Sequence, residues 1–280
     1  MRMLFWTATL VCMLSATDAA AQRTITGYDF SATGAHQVRL GRMLREISGL
    51  TVNARGQLLA HDDEKGVVYR IDAMTGSRLA RFRLGRTTVT EDFEDIAAMG
   101  DTLILVTSDG RFFLFPEGRD GDRVEYRVVV TPLTATNDVE GLCYDPASGT
   151  LLLACKGSPG RGYTDKRAVY SYSLAERRLH TPPRFLVDET ALRGKIAGKT
   201  FRPSAIAVHP IRHTYFILAA RGRGIVELDQ RGRVLAVQEL DASRHPQPEG
   251  LTFMPNGDMI IADEGKKEGL LTRYAYTHRK

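Results

Sequence analysis

A short phrase recurs five times along the chain and constrains its architecture more than any other feature. Each copy joins an acidic or small polar residue to a small residue and a short apolar run, as in EISGLTV, DVEGLCYD and PEGLTF. The copies begin near Glu46, Glu94, Glu140, Ser204 and Glu249, at intervals of 48, 46, 64 and 45 residues. Repeats of about 40 to 50 residues are typical of propeller blades. The period therefore predicts an all-β fold, a five-bladed β-propeller.

Each repeat continues with further short apolar runs that are bounded by turn signals. In the first repeat these runs are QLLAHDD, GVVYRID and RLARFRL. Many short strands at regular spacing indicate a sheet-based fold. The last repeat lacks a fourth run, and HQVRL, residues 36–40, precedes the first inner strand without a partner. We expect this N-terminal strand to complete the fifth blade and close the ring, which removes exposed sheet edges.

The first 21 residues differ from the rest of the chain. Arg2 is followed by an apolar stretch and then by small residues that end at Ala21, a pattern typical of a secretory signal peptide cleaved after Ala21. We assign residues 1–21 to the signal and residues 22–280 to a single propeller domain. No later stretch approaches 18 apolar residues, so we expect a periplasmic or secreted protein without stable membrane insertion after cleavage.

Charge and cysteine content limit the classes of partner. The net charge is +5, but the Lys and Arg residues are scattered and accompany no nucleic-acid-binding motif, so we expect no nucleic-acid partner and a monomer. Cys143 and Cys155 lie on two strands of one hairpin. An oxidising compartment permits a disulfide between them, and two buried thiols are the alternative.

Four glutamates fall at the start of the innermost strands, where the blades of a propeller surround one axis. Carboxylates that converge in this way repel one another and raise each other's pKa unless a cation neutralises them. Calcium accepts six to eight irregularly placed oxygen ligands, whereas zinc prefers His and Cys. The pattern predicts a Ca²⁺ site; the alternative is that these acids cap turns or face a water-filled channel mouth. The predicted metal ligands are Glu46, Glu94, Glu140 and Glu249.

A second layer of charged and polar side chains is expected at the same channel mouth, one strand further along each repeat. Lys156 and Arg221 bring positive charge there, and they would either pair with the glutamates in place of a metal or bind an anionic ligand. The members of this layer are Asp62, Asp63, Lys156, Ser204, Arg221, Asp263 and Glu264.

The ordered set of five phrases resembles the SdiA-regulated, YjiK- and CarP-like family of bacterial propellers, over nearly all of the mature chain. EISGLTVNARGQLLAHDDEKGVVYRID, DVEGLCYDPASGTLLLACK and PEGLTFMPNGDMIIADEG carry most of the likeness. The resemblance implies a five-bladed fold distantly related to NHL-repeat propellers. It also implies calcium binding at the acidic positions and a link to calcium-regulated physiology. It implies no reaction.

The sequence favours an exported calcium-binding propeller that acts as a non-enzymatic binding, scaffold or calcium-response protein. The alternative is a calcium-dependent hydrolase of phosphate or lactone esters, because a metal held by carboxylates can polarise such substrates. An envelope protein and an anionic small molecule are the two partner classes left open.

Overall fold

The structure is a computed structural model that describes residues 24–277. Their strands form five blades, and the prediction of a five-bladed β-propeller is confirmed. Four blades are antiparallel sheets of four strands, and the first blade has a short fifth strand, residues 123–124, that pairs parallel to its outer strand. The predicted signal peptide, residues 1–21, lies outside the described residues and stays a prediction. No helix within residues 24–277 is long and apolar enough to cross a membrane.

The strands follow one another from the axis outward in each blade. Before the first blade comes the ring-closing strand β1 (Ala35–Arg39). Blade 1 contains β2 (Ile47–Val52), β3 (Leu58–Asp62), β4 (Val67–Ile71) and β5 (Arg78–Leu84). Blade 2 contains β6 (Phe93–Met99), β7 (Thr102–Thr107), β8 (Arg111–Pro116) and, after the short strand β9 (Arg123–Val124), β10 (Arg127–Val130).

Blade 3 contains β11 (Val139–Asp145), β12 (Thr150–Cys155), β13 (Lys166–Ser173) and β14 (Arg178–Asp188), and a single helical turn, α1 (Glu189–Leu192), follows it. Blade 4 contains β15 (Arg202–Val208), β16 (Tyr215–Arg221), β17 (Gly224–Leu228) and β18 (Val234–Glu239). Blade 5 contains β19 (Pro248–Phe253), β20 (Met259–Asp263) and β21 (Leu270–Tyr274). The five inner strands β2, β6, β11, β15 and β19 are neighbours around the axis.

Strand β1 closes the ring as the sequence predicted. It pairs antiparallel with β21, with Val38 opposite Leu271, and becomes the outer strand of blade 5. The preceding segment is fixed through Tyr28, whose hydroxyl donates to the Gly257 carbonyl at 2.6 Å and lies 2.8 Å from His209 Nε2. The N-terminal segment therefore contacts blades 4 and 5 as well as completing the sheet.

Apolar side chains fill the spaces between neighbouring blades. Between blades 1 and 2, for example, Phe93 and Phe113 meet edge to face with ring centroids 5.1 Å apart, and Phe82 and Phe115 pack nearby. Burying one such side chain contributes about 1.5–3 kcal/mol. These layers make the blades one body and hold the inner strands in register.

The long interval between the third and fourth repeats is an insertion beside one face. Its segment 189–200 packs on the turn between β16 and β17, where a Cβ built on Gly198 would lie 2.8 Å from the Gly222 Cα. Cys143 and Cys155 are free thiols: Cys155 lies opposite Val139 and Cys143 opposite Leu152, so the two are not cross-strand partners.

Candidate functional site

Each of the five inner strands contains a one-residue bulge close to its N-terminal end. In blade 3, for example, Val139 pairs with Cys155 and Gly141 with Ala154, so that the residue between them has no partner in the ladder. A bulge re-aims the side chain that it carries. The residues at the five equivalent bulge positions are Ser48, Glu94, Glu140, Ser204 and Glu249.

The predicted alignment of the first repeat is wrong by two residues. Ile47 pairs with Asp62 and Gly49 with His61, so Ser48, and not Glu46, is the blade 1 counterpart of Glu140. Glu46 precedes β2 and forms an ion pair with Arg45 on the rim of a separate cavity of about 600 Å³. Three glutamates and two serines therefore occupy the axial positions.

Asp95 forms the floor beneath this ring. Its carboxylate accepts the N–H groups of Ile96 at 2.8 Å and Leu142 at 2.7 Å, and the Leu50 N–H of blade 1 is a third donor. A Cβ on Gly49 would lie 2.5 Å from Asp95 Oδ1, which explains the glycine there. Burial raises the pKa of Asp95, although the backbone donors oppose the rise. We call the site bounded by the five bulge residues and by Asp95 beneath them the axial cup.

The axial glutamates are close enough to affect one another's pKa values. Burial, followed by the charge of Glu140, raises the pKa of Glu94 to about 9 and that of Glu249 to about 8. Burial also raises the pKa of Glu140 itself, while a hydrogen bond and the charge of Lys156 oppose the rise. Desolvation and repulsion between like charges both disfavour ionised carboxylates, so this group favours a positive partner.

Lys156 supplies one positive charge to the axial cup. Its Nζ lies 2.5 Å from Glu140 Oε1, and the Glu140 side chain is only 7% exposed. Burial alone would lower the pKa of Lys156, but the hydrogen bond and charge of Glu140 outweigh it and raise that pKa. One ammonium therefore neutralises one of three carboxyl groups.

A cavity of about 400 Å³ opens beside this ion pair, between blades 3, 4 and 5. It combines the acids Glu140 and Glu249 with three cations, of which the sequence analysis identified Lys156 and Arg221 but missed Arg202. Arg202 is the first residue of β15 and pairs in register with Arg221 of β16. The signal that could have identified it is this arginine directly before the fourth repeat of the phrase.

The expected second layer is corrected at three positions. In blade 1 the Asp63 N–H donates to the Glu46 carbonyl, just as the Lys156 N–H donates to the Asp138 carbonyl in blade 3. Asp63 is thus the counterpart of Lys156, while Asp62 caps a turn by accepting the Glu64 and Lys65 N–H groups.

Arg221 is also displaced from the predicted layer. Pro203 pairs with Ala219, so Ala220 occupies the position equivalent to Lys156, and Arg221 lies one residue further toward the cavity. It still lines that cavity together with Lys156 and Ser204.

Asp263 does not lie at the mouth. It is fully buried, with Oδ2 2.8 Å from His245 Nδ1, and His245 Nε2 lies 2.7 Å from the Tyr274 hydroxyl. This network ties the loop before blade 5 to its second and third strands. Asp263 therefore has a structural role.

The remaining acids form a second group at the junction of blades 1 and 5. Burial and then the charge of Glu46 raise the pKa of Asp63 to about 6, and burial with the charge of Glu46 also raises the pKa of Glu264. Among the residues of the expected second layer, the acids therefore lie on blades 1 and 5, and the two cations, Lys156 and Arg221, lie on blades 3 and 4.

The predicted calcium site was also tested against the geometry of the described residues. Carboxylate oxygens at the axis are the donor type that calcium prefers, and the Lys156 ammonium stands where a cation would contact Glu140. Within residues 24–277, however, no three His, Cys, Asp or Glu side chains are placed to share one ion. Calcium binding therefore stays a prediction.

Comparisons with known proteins reveal similarity in fold. No protein-family model matches the chain, and no curated protein matches its sequence. The glutaminyl cyclase of Myxococcus xanthus superposes with a TM-score of 0.56 at 14% identity, over 87% of this chain and 97% of that chain. A luciferin-regenerating enzyme superposes with a TM-score of 0.54 at 11% identity, over 86% and 95% of the two chains. At these identities the likeness establishes the shared fold and nothing about activity.

Proposed function

We propose that this protein is an exported, non-enzymatic binding propeller of the SdiA-regulated, YjiK- and CarP-like kind, whose axial carboxylates bind a calcium ion. The observation that carries the proposal is that three axial glutamates, of which Glu140 is buried and Glu94 and Glu249 are half-buried, share the single ammonium of Lys156. Burial and the charge of Glu140 raise the pKa values of Glu94 and Glu249, and a divalent cation would offset both effects and favour the ionised carboxylates.

The ligands of the ion would be Glu94, Glu140 and Glu249, whose side chains would have to move closer together on binding, since as placed no three acids of residues 24–277 share one ion. Calcium would replace the Lys156 ammonium as the partner of Glu140, because both are cations and compete for the same oxygen. The role of the ion would be to neutralise the axial charge and so stabilise the inner ends of blades 2, 3 and 5. A protein built in this way would respond to calcium through its stability and through the shape of the axial cup.

The direct test is thermal unfolding of the mature protein in EDTA and in increasing calcium. At a calcium concentration 100 times the dissociation constant the expected gain is about 2.7 kcal/mol, which corresponds to a rise in Tm of roughly 5–10 °C for a domain of this size. Glu140→Gln should abolish the rise, whereas Lys156→Met should raise the apparent calcium affinity because it removes the competing ammonium.

Glu125→Gln is the matched control, since it removes an exposed carboxylate of blade 2 far from the axis. Its calcium response should equal that of the wild type. No calcium-dependent rise in the wild type, or an equal rise in Glu140→Gln, would contradict the proposal.

A calcium-dependent hydrolase is the second candidate function. It is favoured by Glu249, whose raised pKa of about 8 leaves it protonated near neutral pH in the cavity that Arg202 and Arg221 also line. Protonated carboxyls of this kind can act as general acids. A panel of phosphate and lactone esters, with calcium and with EDTA, tests it: turnover in calcium that Glu140→Gln abolishes would replace the binding role.

A further inference from the structure

Two arginines face each other across neighbouring strands of blade 4. Arg202 of β15 and Arg221 of β16 are register partners at the end of the sheet that opens on the axial cup. Like charges directly opposite each other destabilise an antiparallel pair. Within residues 24–277 neither arginine forms a salt bridge, and Arg221 is exposed. The pair therefore costs stability, and no carboxylate of the described residues lies within ion-pair distance of either guanidinium.

A third cation lies beside them. Lys156 lines the same cavity of about 400 Å³, and its only ion-pair partner in the described part of the chain is Glu140. Small-molecule sites commonly have volumes of about 300–1,000 Å³ with a few converging polar groups. The cavity is large enough for a small organic anion, and its wall at blade 4 carries the positive charge.

The position of Arg202 is fixed by the backbone around it. Its Nη1 donates to the Lys156 carbonyl at 2.8 Å. Arg167 donates to the Gly157 carbonyl at 3.0 Å and forms a buried ion pair with Glu189 at 2.7 Å. The loop after β12 and the insertion after β14 are thus tied to the blade 4 wall. A planar guanidinium held in place loses little freedom when it binds an anion.

We infer that this wall is an oxyanion site, in which Arg202 and Arg221 bind the carboxylate or phosphate group of a small molecule seated in the cavity. Guanidinium groups match both oxyanions through paired N–H···O bonds. A bound oxyanion would supply the counter-charge that the register pair lacks. The site shares its cavity with two of the proposed calcium ligands, Glu140 and Glu249, but the groups that bind the anion are the guanidinium groups, and its occupation does not require the metal.

The experiment uses the mature protein freed of calcium with EDTA and then dialysed into metal-free buffer, because EDTA is itself a polycarboxylate that would compete for the site. The ionic strength is held constant with chloride. Isothermal titration with inorganic phosphate and, separately, with succinate measures the affinity for each oxyanion, and thermal unfolding in the same solutions provides a second readout. We expect saturable binding of at least one probe. The stronger probe identifies the site as one for phosphate or for carboxylate groups.

Arg221→Gln should weaken that binding by about tenfold or more, because it removes a charge-assisted hydrogen bond. Arg221→Lys should recover only part of the loss, since lysine keeps the charge but not the planar fork. Arg231→Gln is the matched control: Arg231 is exposed in the turn between β17 and β18, at the opposite end of the same blade. It should bind as the wild type does.

Neither probe binding above the chloride control would overturn the inference, and so would equal affinities of the wild type and Arg221→Gln. A folding defect is recognised separately, from the Tm of each variant without probe. Because calcium is excluded throughout, failure of the calcium proposal leaves this result unaffected, and failure of the anion site leaves the calcium titration unaffected.

Discussion

Blades 2 and 4 build the same bulge at the axis and place different chemistry on it. Blade 2 carries Glu94 and Asp95, whereas blade 4 carries Ser204 and Ala205 at the equivalent positions. Ser204 donates to the Pro248 carbonyl at 2.8 Å, so it links its blade to the next through a neutral hydrogen bond. The backbone geometry therefore fixes where the side chains meet, and the residue type alone decides the sign of the charge.

The two blades also differ at the next residue of each inner strand. Ala205 fills its position by close packing, since a Cβ on Gly141 would lie 2.9 Å from the Ala205 carbonyl carbon. Asp95 instead accepts backbone N–H groups from its own blade and from blade 3. The axis is thus held by apolar contact on one side and by a buried carboxylate on the other.

The largest expected effect comes from converting blade 2 to the blade 4 residue. Asp95→Ala leaves at least two buried N–H groups without an acceptor, and each costs about 1–3 kcal/mol. We expect a loss of roughly 4 kcal/mol in the free energy of unfolding, measured by urea denaturation. Asp95→Asn, which keeps one acceptor oxygen, should lose less. Equal stability of Asp95→Ala and the wild type would show that blade 2 needs no carboxylate.

The second-largest expected effect is on stabilisation by calcium, and it should differ between the bulge residues of the two blades. Glu94→Gln should remove most of the stabilisation of about 2.7 kcal/mol expected at a 100-fold excess of calcium. Ser204→Ala should lower the starting stability by about 1 kcal/mol and keep the calcium response. Calorimetric melts in EDTA and in calcium give both quantities. A response lost in Ser204→Ala and kept in Glu94→Gln would reverse the comparison.

His209 follows β15 at its far end, and we expect it to make the stability of blade 4 depend on pH. Burial, with the charge of Arg212, lowers its pKa from 6.5 to about 4. Between these values the unfolded state binds more protons, so His209 should cause the free energy of unfolding to fall as the pH drops from about 6.5 to about 4. Urea denaturation at several pH values should show a shallower fall in His209→Gln than in the control His36→Gln. Parallel curves would contradict this assignment.

The smallest effect tests the cost of the paired arginines. In chloride alone, Arg221→Gln should raise the free energy of unfolding by a few tenths of a kcal/mol, because it removes the repulsion across β15 and β16. Thermal unfolding in parallel with Arg231→Gln measures it. Destabilisation by Arg221→Gln that Arg231→Gln does not cause would mean that Arg221 has a partner that offsets the repulsion.

Much of the fold followed from periodicity in the sequence. The repeat predicted the five blades, and the unpartnered run 36–40 predicted the closing strand, because a propeller blade needs about four strands and ring closure needs both termini. The placement of Glu94, Glu140, Ser204 and Glu249 at equivalent positions was also predicted correctly. A bulge adds one residue to a strand, and phrases of equal length align across it.

In the first repeat the sequence pattern indicates the wrong residue. The sequence pattern predicts Glu46 at the axis, because an acidic residue opens three of the other four repeats. Only the strand pairing reveals the bulge, and it places Ser48 at the axis. With Ser48 the first two intervals become equal, at 46 residues each, a regularity that the sequence already contained.

The sequence by itself determined the architecture, the ring order and the presence of carboxylates at the axis, since these depend on local patterns that repeat. Tertiary structure decided which charges face one another. Lys156 meets Glu140, Arg202 meets Arg221, and Asp95 closes the axial cup, all through contacts between segments far apart in the chain or across a strand register. Electrostatic energy depends on distance and burial, and both arise only when the blades pack around the axis.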